Sequence, residues 1–126
     1  MVEIDDIEGM EKLLEEESYM DVLARLIPIY DTKKIEDAKM YYILGSAFCE
    51  IGDLESAIKF LKLATILDDS EFKYFAKLAQ AFEKNDEPIP AMKAYIDAKE
   101  LVTNDSEINK RFDKLIDKYN KMYTEN

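Results

Sequence analysis

Residues 38–71 read AKMYYILGSAFCEIGDLESAIKFLKLATILDDSE, and residues 72–105 read FKYFAKLAQAFEKNDEPIPAMKAYIDAKELVTND. Apolar residues recur in both stretches at the spacing of an α-helix, with no sustained alternation of period two. When the first stretch is laid over the second residue by residue, the same residue types coincide without a gap. The matching pairs are Tyr41/Phe75, Leu44/Leu78, Gly45/Ala79, Phe48/Phe82, Ala57/Ala91, Leu61/Tyr95 and Ala64/Ala98. The sequence therefore contains two copies of one helical unit.

Small residues at fixed places in each unit have a physical purpose. Gly or Ala removes the side chain that holds two helix backbones apart, while the bulky positions fill the remaining space at high packing density. Gly52 with Asp53 separates two apolar runs, and Asp53 suits a helix N-cap. Pro88 and Pro90 fall in a first helical turn, where a missing N–H costs little. We expect helices at about 5–17, 20–30, 36–51, 54–67, 71–84, 88–102 and 106–123.

This pattern resembles the tetratricopeptide repeat (TPR), a helix–turn–helix unit with a period of about 34 residues. The resemblance implies an all-α superhelix of about three helix–turn–helix repeats plus a C-terminal capping helix. We therefore expect a single TPR domain over residues 1–126, with a degenerate repeat at 4–37, repeats at 38–71 and 72–105, and a capping helix at 106–123.

The first unit departs from the pattern. Its bulky positions fit, but three positions that should be small do not, and Pro28 is expected to end or kink the second helix. The fitting residues are Ile7, Met10, Leu14 and Ile27, and the poorly fitting ones are Glu11, Leu23 and Tyr30. The capping helix is expected to bury one stripe, made of Ile108, Phe112, Leu115, Ile116, Tyr119 and Met122.

Composition limits the partners and the compartment. The formal net charge is −11, which disfavours nucleic acid as a partner. The single cysteine, Cys49, excludes an intramolecular disulfide and fits a reducing cytosol. The N-terminus lacks the pattern of a signal peptide, and no apolar stretch is long enough to cross a bilayer. We expect a cytoplasmic protein without membrane insertion, and a homodimer is left open.

Catalytic chemistry has little support in the sequence. Histidine, the commonest general base and metal ligand, is absent. The acidic run Glu15–Glu17 points in different directions on a helix, and residues 68–71 lack the glycine and spacing of a calcium loop. No glycine-rich phosphate loop occurs. We expect no enzymatic activity, no cofactor and no metal.

The resemblance also implies a binding groove, lined in this family by the first helix of each repeat. We call the corresponding positions the groove face. The candidate residues are Lys12, Lys39, Tyr42, Ser46, Cys49, Lys73, Ala76, Lys77 and Gln80. Glu83, Glu107, Lys110 and Lys114 continue the groove face toward the C-terminus. We expect a protein or peptide partner to bind there.

Two TPR subtypes can be compared with these residues. One binds chaperone C-termini through a carboxylate clamp, whose positions hold Glu8, Lys12, Ile43, Lys73 and Lys77 here. Glu8 would repel a carboxylate, so we reject that role. The run 41–101 is similar to the TPR chaperones of type III secretion translocators, which hold an extended apolar segment. The expected function is therefore a small chaperone or adaptor; the alternatives are a structural or self-assembling scaffold subunit and a docking regulator of an enzyme.

Overall fold

The computed structural model describes residues 7–32, 37–102 and 105–124, with side chains described up to residue 121. These residues form seven α-helices and no strand, which confirms the expected all-α class. The helices are α1 (Ile7–Glu15), α2 (Tyr19–Thr32), α3 (Ala38–Ile51), α4 (Leu54–Leu67), α5 (Phe72–Lys84), α6 (Pro88–Leu101) and α7 (Ser106–Thr124). The expected boundaries at residues 4–6, 33–36 and 103–104, and the side chain of Met122, lie outside the described part.

The chain divides into two compact units after Asp69. Unit 1 holds α1 to α4, and unit 2 holds α5 to α7. The most closely packed helix pairs are α3 with α4 and α5 with α6, the two helix pairs that the repeat pattern predicts. None of the described helices is both long enough and apolar enough to cross a membrane.

Acidic residues cap the starts of several helices. Asp53 caps α4 as expected, because its carboxylate accepts a hydrogen bond from the N–H of Ser56 at 3.2 Å. Glu71 accepts from the N–H of Lys73 at the start of α5, and Asp105 accepts from the N–H of Ile108 in α7. Pro88 occupies the first turn of α6. These caps explain why the sequence predicted the helix starts closely.

The seam between α3 and α4 is tight. Ala57 and Ala64 of α4 are completely buried. A Cβ atom placed on Gly45 would lie 2.7 Å from Cγ of Leu61, well inside normal contact distance. Only glycine therefore fits at this point of α3 without displacing either the side chain of Leu61 or helix α4.

An aromatic cluster ties α2 to that helix pair. The ring of Phe60 lies in the middle: Tyr30 meets it edge-on at 4.9 Å, and Tyr41 and Phe48 stack on it at 6.0 and 5.7 Å. The ammonium of Lys59 lies 5.4 Å from the Tyr30 ring and 5.2 Å from the Phe60 ring. Tyr30, which does not fit the repeat pattern, is thus a packing residue of unit 1.

The first repeat is out of register by one residue in its second half. At the end of α3, Gly52 has a φ of +91°, and the N–H of Asp53 reaches back to the carbonyl of Phe48. At the end of α1, Glu17 has a φ of +61°, and the N–H of Ser18 reaches back to the carbonyl of Leu13. Glu17 therefore corresponds to Gly52, although counting back by the repeat length would have reached Ser18.

This slip changes which residues of α2 face the core. Val22 and Leu26 are completely buried, whereas Ile27, which the sequence pattern assigned to a bulky core position, is 36% exposed. That assignment was wrong because of the one-residue shift. Each residue of α2 occupies the structural position that a regular repeat would give to the next residue along the chain. Pro28 does not end the helix: α2 continues to Thr32, whose hydroxyl donates to the carbonyl of Pro28 at 2.7 Å.

Unit 2 repeats the helix pair and closes it with α7. Ala79, Ala91 and Ala98 are completely buried, as the small positions require. Ile108 and Leu115 of α7 are buried as expected for the capping helix, whereas Phe112, Ile116 and Tyr119 of the expected stripe are half-buried. The ammonium of Lys99 lies 4.5 Å from the ring centre of Phe112, which joins α6 to α7.

Candidate functional site

In unit 1, one cation of the groove face is already paired. Nζ of Lys39 on α3 lies 3.0 Å from Oε1 of Glu11 on α1. The hydrogen bond to Glu11 raises the pKa of Lys39 above its ordinary value. Lys39 therefore stays charged, but its charge is balanced by a neighbouring helix, and the pair links α1 to α3.

The other predicted residues of α3 differ in accessibility. Tyr42 is half-buried, whereas Ser46 is only 2% exposed and Cys49 only 1%. The hydroxyl of Ser46 has no hydrogen-bond partner among the described residues. Lys12 of α1 is exposed. In this structure a ligand can therefore reach Lys12, Lys39 and Tyr42, but not the side chains of Ser46 and Cys49.

In unit 2, the predicted residues of α5 differ in how far they are exposed to solvent. Lys73 is exposed near the start of the helix, and its N–H is capped by Glu71. Ala76, Lys77 and Gln80 are half-buried along the following turns. This part of the groove face is accessible and combines cationic, apolar and amide groups.

A cleft continues the groove face between α5 and α7. Its volume is about 530 Å³, and its walls carry charges of both signs. The lining residues are Glu83, Glu107, Lys110, Arg111, Asp113, Lys114 and Asp117. Four of them, Glu83, Glu107, Lys110 and Lys114, are residues that the sequence placed on the groove face. The structure brings these four together around one cleft.

A polar network forms one wall of this cleft. The hydroxyl of Tyr95, a completely buried side chain of α6, donates to the carboxylate of Glu83. Arg111 lies beside the same hydroxyl, and its Nε donates to Oε1 of Glu107 at 2.9 Å. Burial and the bond to Glu83 raise the pKa of Tyr95 well above its ordinary value. The network thus fixes Glu83 and Arg111 at the edge of the cleft.

The described residues contain no group of three His, Cys, Asp or Glu side chains arranged to hold a metal ion. The groove face carries separate charged side chains, one half-buried tyrosine and, in unit 2, a cleft between helices. Such an arrangement suits recognition of another polypeptide, through apolar contact and a few placed polar groups.

Comparison with known proteins identifies the fold. No family model matches the chain, and no curated protein matches it in sequence. Among solved structures, the first TPR of Spaghetti (RPAP3), bound to the HSP90 peptide SRMEEVD, has a TM-score of 0.80 at 19% identity, covering 89% of this chain and 88% of its own. The chain has a tetratricopeptide-repeat fold.

Two bacterial structures are also similar. MamA (residues 41 to the end) from Desulfovibrio magneticus RS-1 has a TM-score of 0.66 at 27% identity, covering 75% of this chain and 52% of its own. A T3SS complex from Aeromonas hydrophila has a TM-score of 0.70 at 14% identity, covering 90% of this chain and 78% of its own.

The TPR fold allows the carboxylate-clamp positions to be checked within each unit. Glu8 is exposed on α1, where the clamp needs a cation, and Ile43 is completely buried in α3, where the clamp needs an amide. Lys73 and Lys77 are the remaining suitable cations, and both belong to α5. The structure therefore agrees with rejecting the clamp role.

Two features of the site were not predicted from the sequence. The first is the pairing of Lys39 with Glu11, since Glu11 was considered only as a poorly fitting small position. The second is the bond between Tyr95 and Glu83, since Tyr95 was considered only as core. A usable clue existed for Tyr95: a buried tyrosine hydroxyl usually finds a hydrogen-bond partner.

Proposed function

We propose that this chain is a protein-interaction module that binds a peptide segment of a partner protein on its groove face. The observation that carries the proposal is the cleft between α5 and α7, which is lined by four of the residues that the resemblance to the TPR family assigns to the groove face. Its volume, about 530 Å³, lies within the range typical of ligand pockets. The TPR of Spaghetti, which carries a bound peptide, supports the same use of the fold.

The charges of the groove face support a choice of ligand. Unit 1 presents Lys12 but also Glu8 and the Lys39–Glu11 pair, so an acidic C-terminal peptide would meet carboxylates as well as cations there. Unit 2 presents Lys73 and, in the cleft, cations next to acids. We infer a segment of mixed charge with apolar anchors, for which Tyr42 in unit 1 and the apolar parts of α5 in unit 2 each offer a contact.

The finer proposal is a small cytoplasmic chaperone or adaptor. The similarity to a T3SS complex and the resemblance of residues 41–101 to translocator chaperones favour a partner with long apolar segments. A chaperone of this kind would hold one partner in stoichiometric amount. A scaffold subunit would instead recover mainly itself, and a docking regulator would copurify with an enzymatic activity.

The test is affinity capture of the tagged protein from its native cytosol, with mass spectrometry of the bound proteins and of the intact complex. A variant carrying Tyr42→Ala and Lys73→Glu should lose the partner by at least about tenfold, as loss of one aromatic anchor and one charge can cost more than about 1.4 kcal/mol. Circular dichroism should show that this variant is folded.

The matched control is a variant carrying Ile66→Ala and Lys93→Glu. Ile66 on α4 and Lys93 on α6 are exposed and belong to the second helices of their repeats, and the substitutions make the same charge change. The control should retain the partner. Equal binding by the groove variant and wild type, or equal loss in both variants, would reject the groove face as the binding surface.

A further inference from the structure

A small pocket lies in unit 1 where α1 ends, α2 begins and α3 ends. Its volume is about 210 Å³. The lining residues are Glu17, Ser18, Tyr19, Met20, Asp21 and Ile51. Two large apolar side chains are presented to solvent there: Met20 is 67% exposed and Ile51 is 42% exposed. Both line the same pocket, so together they give it apolar surface that another side chain could cover.

The rim of this pocket is negative. Carboxylates of Glu17 and Asp21 line it, and Glu50 lies close enough to Tyr19 to influence its hydroxyl. Desolvation, followed by the charges of Glu50 and Glu17, raises the pKa of Tyr19. Residues 7–32 contain seven acidic and two basic residues.

The helix backbones add to the negative potential around this pocket. The C-terminal ends of α1 and α3 lie at Glu15 and Ile51, and a helix C-terminus carries a partial negative charge. The positive end of α2 also lies at the pocket, but Asp21 in its first turn counters it. The resulting environment combines exposed apolar side chains with negative charge.

We propose that this pocket binds a lysine or arginine side chain from a basic segment of a partner protein. The aliphatic stem would pack on Met20 and Ile51, and the cationic head would reach Glu17 and Asp21. Long cationic side chains commonly bury their stems while keeping their charge at a polar edge. Charge complementarity and the size of the pocket, which has room for one side chain, both select this occupant. The inference goes beyond the groove face and needs no residue of it.

The probe is a set of three blocked peptides, acetyl-Gly-Leu-X-Leu-Gly-amide, in which X is lysine, norleucine or glutamate. The readout is the NMR signal of the Met20 methyl group in protein labelled with carbon-13 at methionine methyls, assigned by comparison with Met20→Leu. The lysine peptide should shift this signal in a saturable way. The norleucine peptide should bind more weakly, and the glutamate peptide should give no saturable shift.

Charge-neutral variants test the rim. Asn suits the left-handed backbone at Glu17, where φ is +61°, so Glu17→Asn should not disturb the turn. Glu17→Asn with Asp21→Asn should weaken the lysine peptide about 2- to 25-fold, as expected for two exposed ion pairs. The matched control is Glu55→Gln with Glu100→Gln, which removes the same charge from exposed sites outside the pocket lining. That control should bind as wild type does.

Several results would overturn the proposal. They are equal shifts with all three peptides, equal loss in the pocket and control variants, and no saturable shift at Met20 with the lysine peptide. The groove variant Tyr42→Ala with Lys73→Glu separates the two proposals: it should keep binding the lysine peptide at Met20 even if it loses the captured partner. Loss of the Met20 response in that variant would place the peptide elsewhere and reject the pocket.

Discussion

Replacement of Gly45 by alanine is the sharpest test of the packing between α3 and α4. The new Cβ would lie 2.7 Å from Cγ of Leu61 and 3.1 Å from its backbone nitrogen. Carbon atoms in ordinary contact are about 3.5–4.0 Å apart. Leu61 is completely buried, so its side chain cannot swing into solvent to make room. Either the two helices move apart or Leu61 leaves its rotamer.

Two opposing effects set the magnitude. Gly to Ala in a helix interior stabilises the folded state by about 1 kcal/mol through the unfolded chain. Overpacking of a dense core costs about 1–3 kcal/mol, and the clash here includes backbone that cannot yield. We expect overpacking to win, with a net loss of about 1–2 kcal/mol. For a chain of this size, such a loss lowers the melting temperature by about 3–10 °C.

The assay is urea unfolding followed by far-ultraviolet circular dichroism, with Leu61→Ala as a second background. Leu61→Ala alone should cost about 2–5 kcal/mol. With Leu61 shortened, the clash with Cγ is gone and only the 3.1 Å contact with the backbone nitrogen remains, so Gly45→Ala should cost less than it does with Leu61 present. A wild-type-like or more stable Gly45→Ala protein would refute the reasoning, as would the same destabilisation in both backgrounds, because either result would mean that Leu61 does not limit the seam.

The remaining predictions concern backbone, polar network and core. Asp86 has a φ of +56° at the repeat position that corresponds to Gly52. Asp86→Gly should therefore raise the free energy of unfolding by about 0.5–1 kcal/mol, whereas Gly52→Ala should lower it by about 1 kcal/mol. Urea unfolding that shows Asp86→Gly to be destabilising or Gly52→Ala to be stabilising would contradict this. Tyr95→Phe should cost about 1 kcal/mol at neutral pH, because Glu83 loses its donor. The pKa of Tyr95 is raised on folding, so the contribution of its hydroxyl to the free energy of unfolding is complete below the unfolded pKa of about 10 and is lost as pH rises above that value. Across that alkaline range Tyr95→Phe should therefore lose less stability than wild type. Parallel curves of stability against pH for the two proteins would reject this role of Tyr95. Ala91→Leu should destabilise by about 1–3 kcal/mol, measured by thermal unfolding, and an unchanged melting temperature would show that α5 and α6 are loosely packed.

The sequence predicted the second and third repeats well because their pattern is local and periodic. Small residues such as Gly45 and Ala91 can hold only one kind of place in a helix pair, and Asp53 and Pro88 mark helix starts by their own chemistry. Each of these signals is strong by itself, and all of them agree with one repeat length. Agreement between independent local signals is what makes a fold readable from one chain.

The first repeat was harder because the deciding feature is a single residue in a turn. Counting back one repeat length from Gly52 gives Ser18, but the left-handed residue is Glu17. Glutamate seldom adopts that conformation, so nothing in its identity indicated the turn. The hydrophobic pattern of α2 held the missing information, since Val22 and Leu26 form a buried stripe once the register is shifted by one.

The two candidate binding surfaces also differ in how far the sequence could predict them. Helical periodicity predicts which residues share one face of a helix, but the resemblance to the TPR family is what assigned Glu83 of α5 and Lys110 and Lys114 of α7 to one groove face. Accessibility does not follow from periodicity: Tyr42 and Ser46 lie one turn apart on the same face, yet Ser46 is buried and Tyr42 is half-exposed. The pocket around Met20 lies beyond periodic reasoning altogether, because it is made where three helix ends meet and includes the left-handed turn at Glu17. The residue that hid the register of the first repeat is therefore also part of the wall of the second candidate binding site.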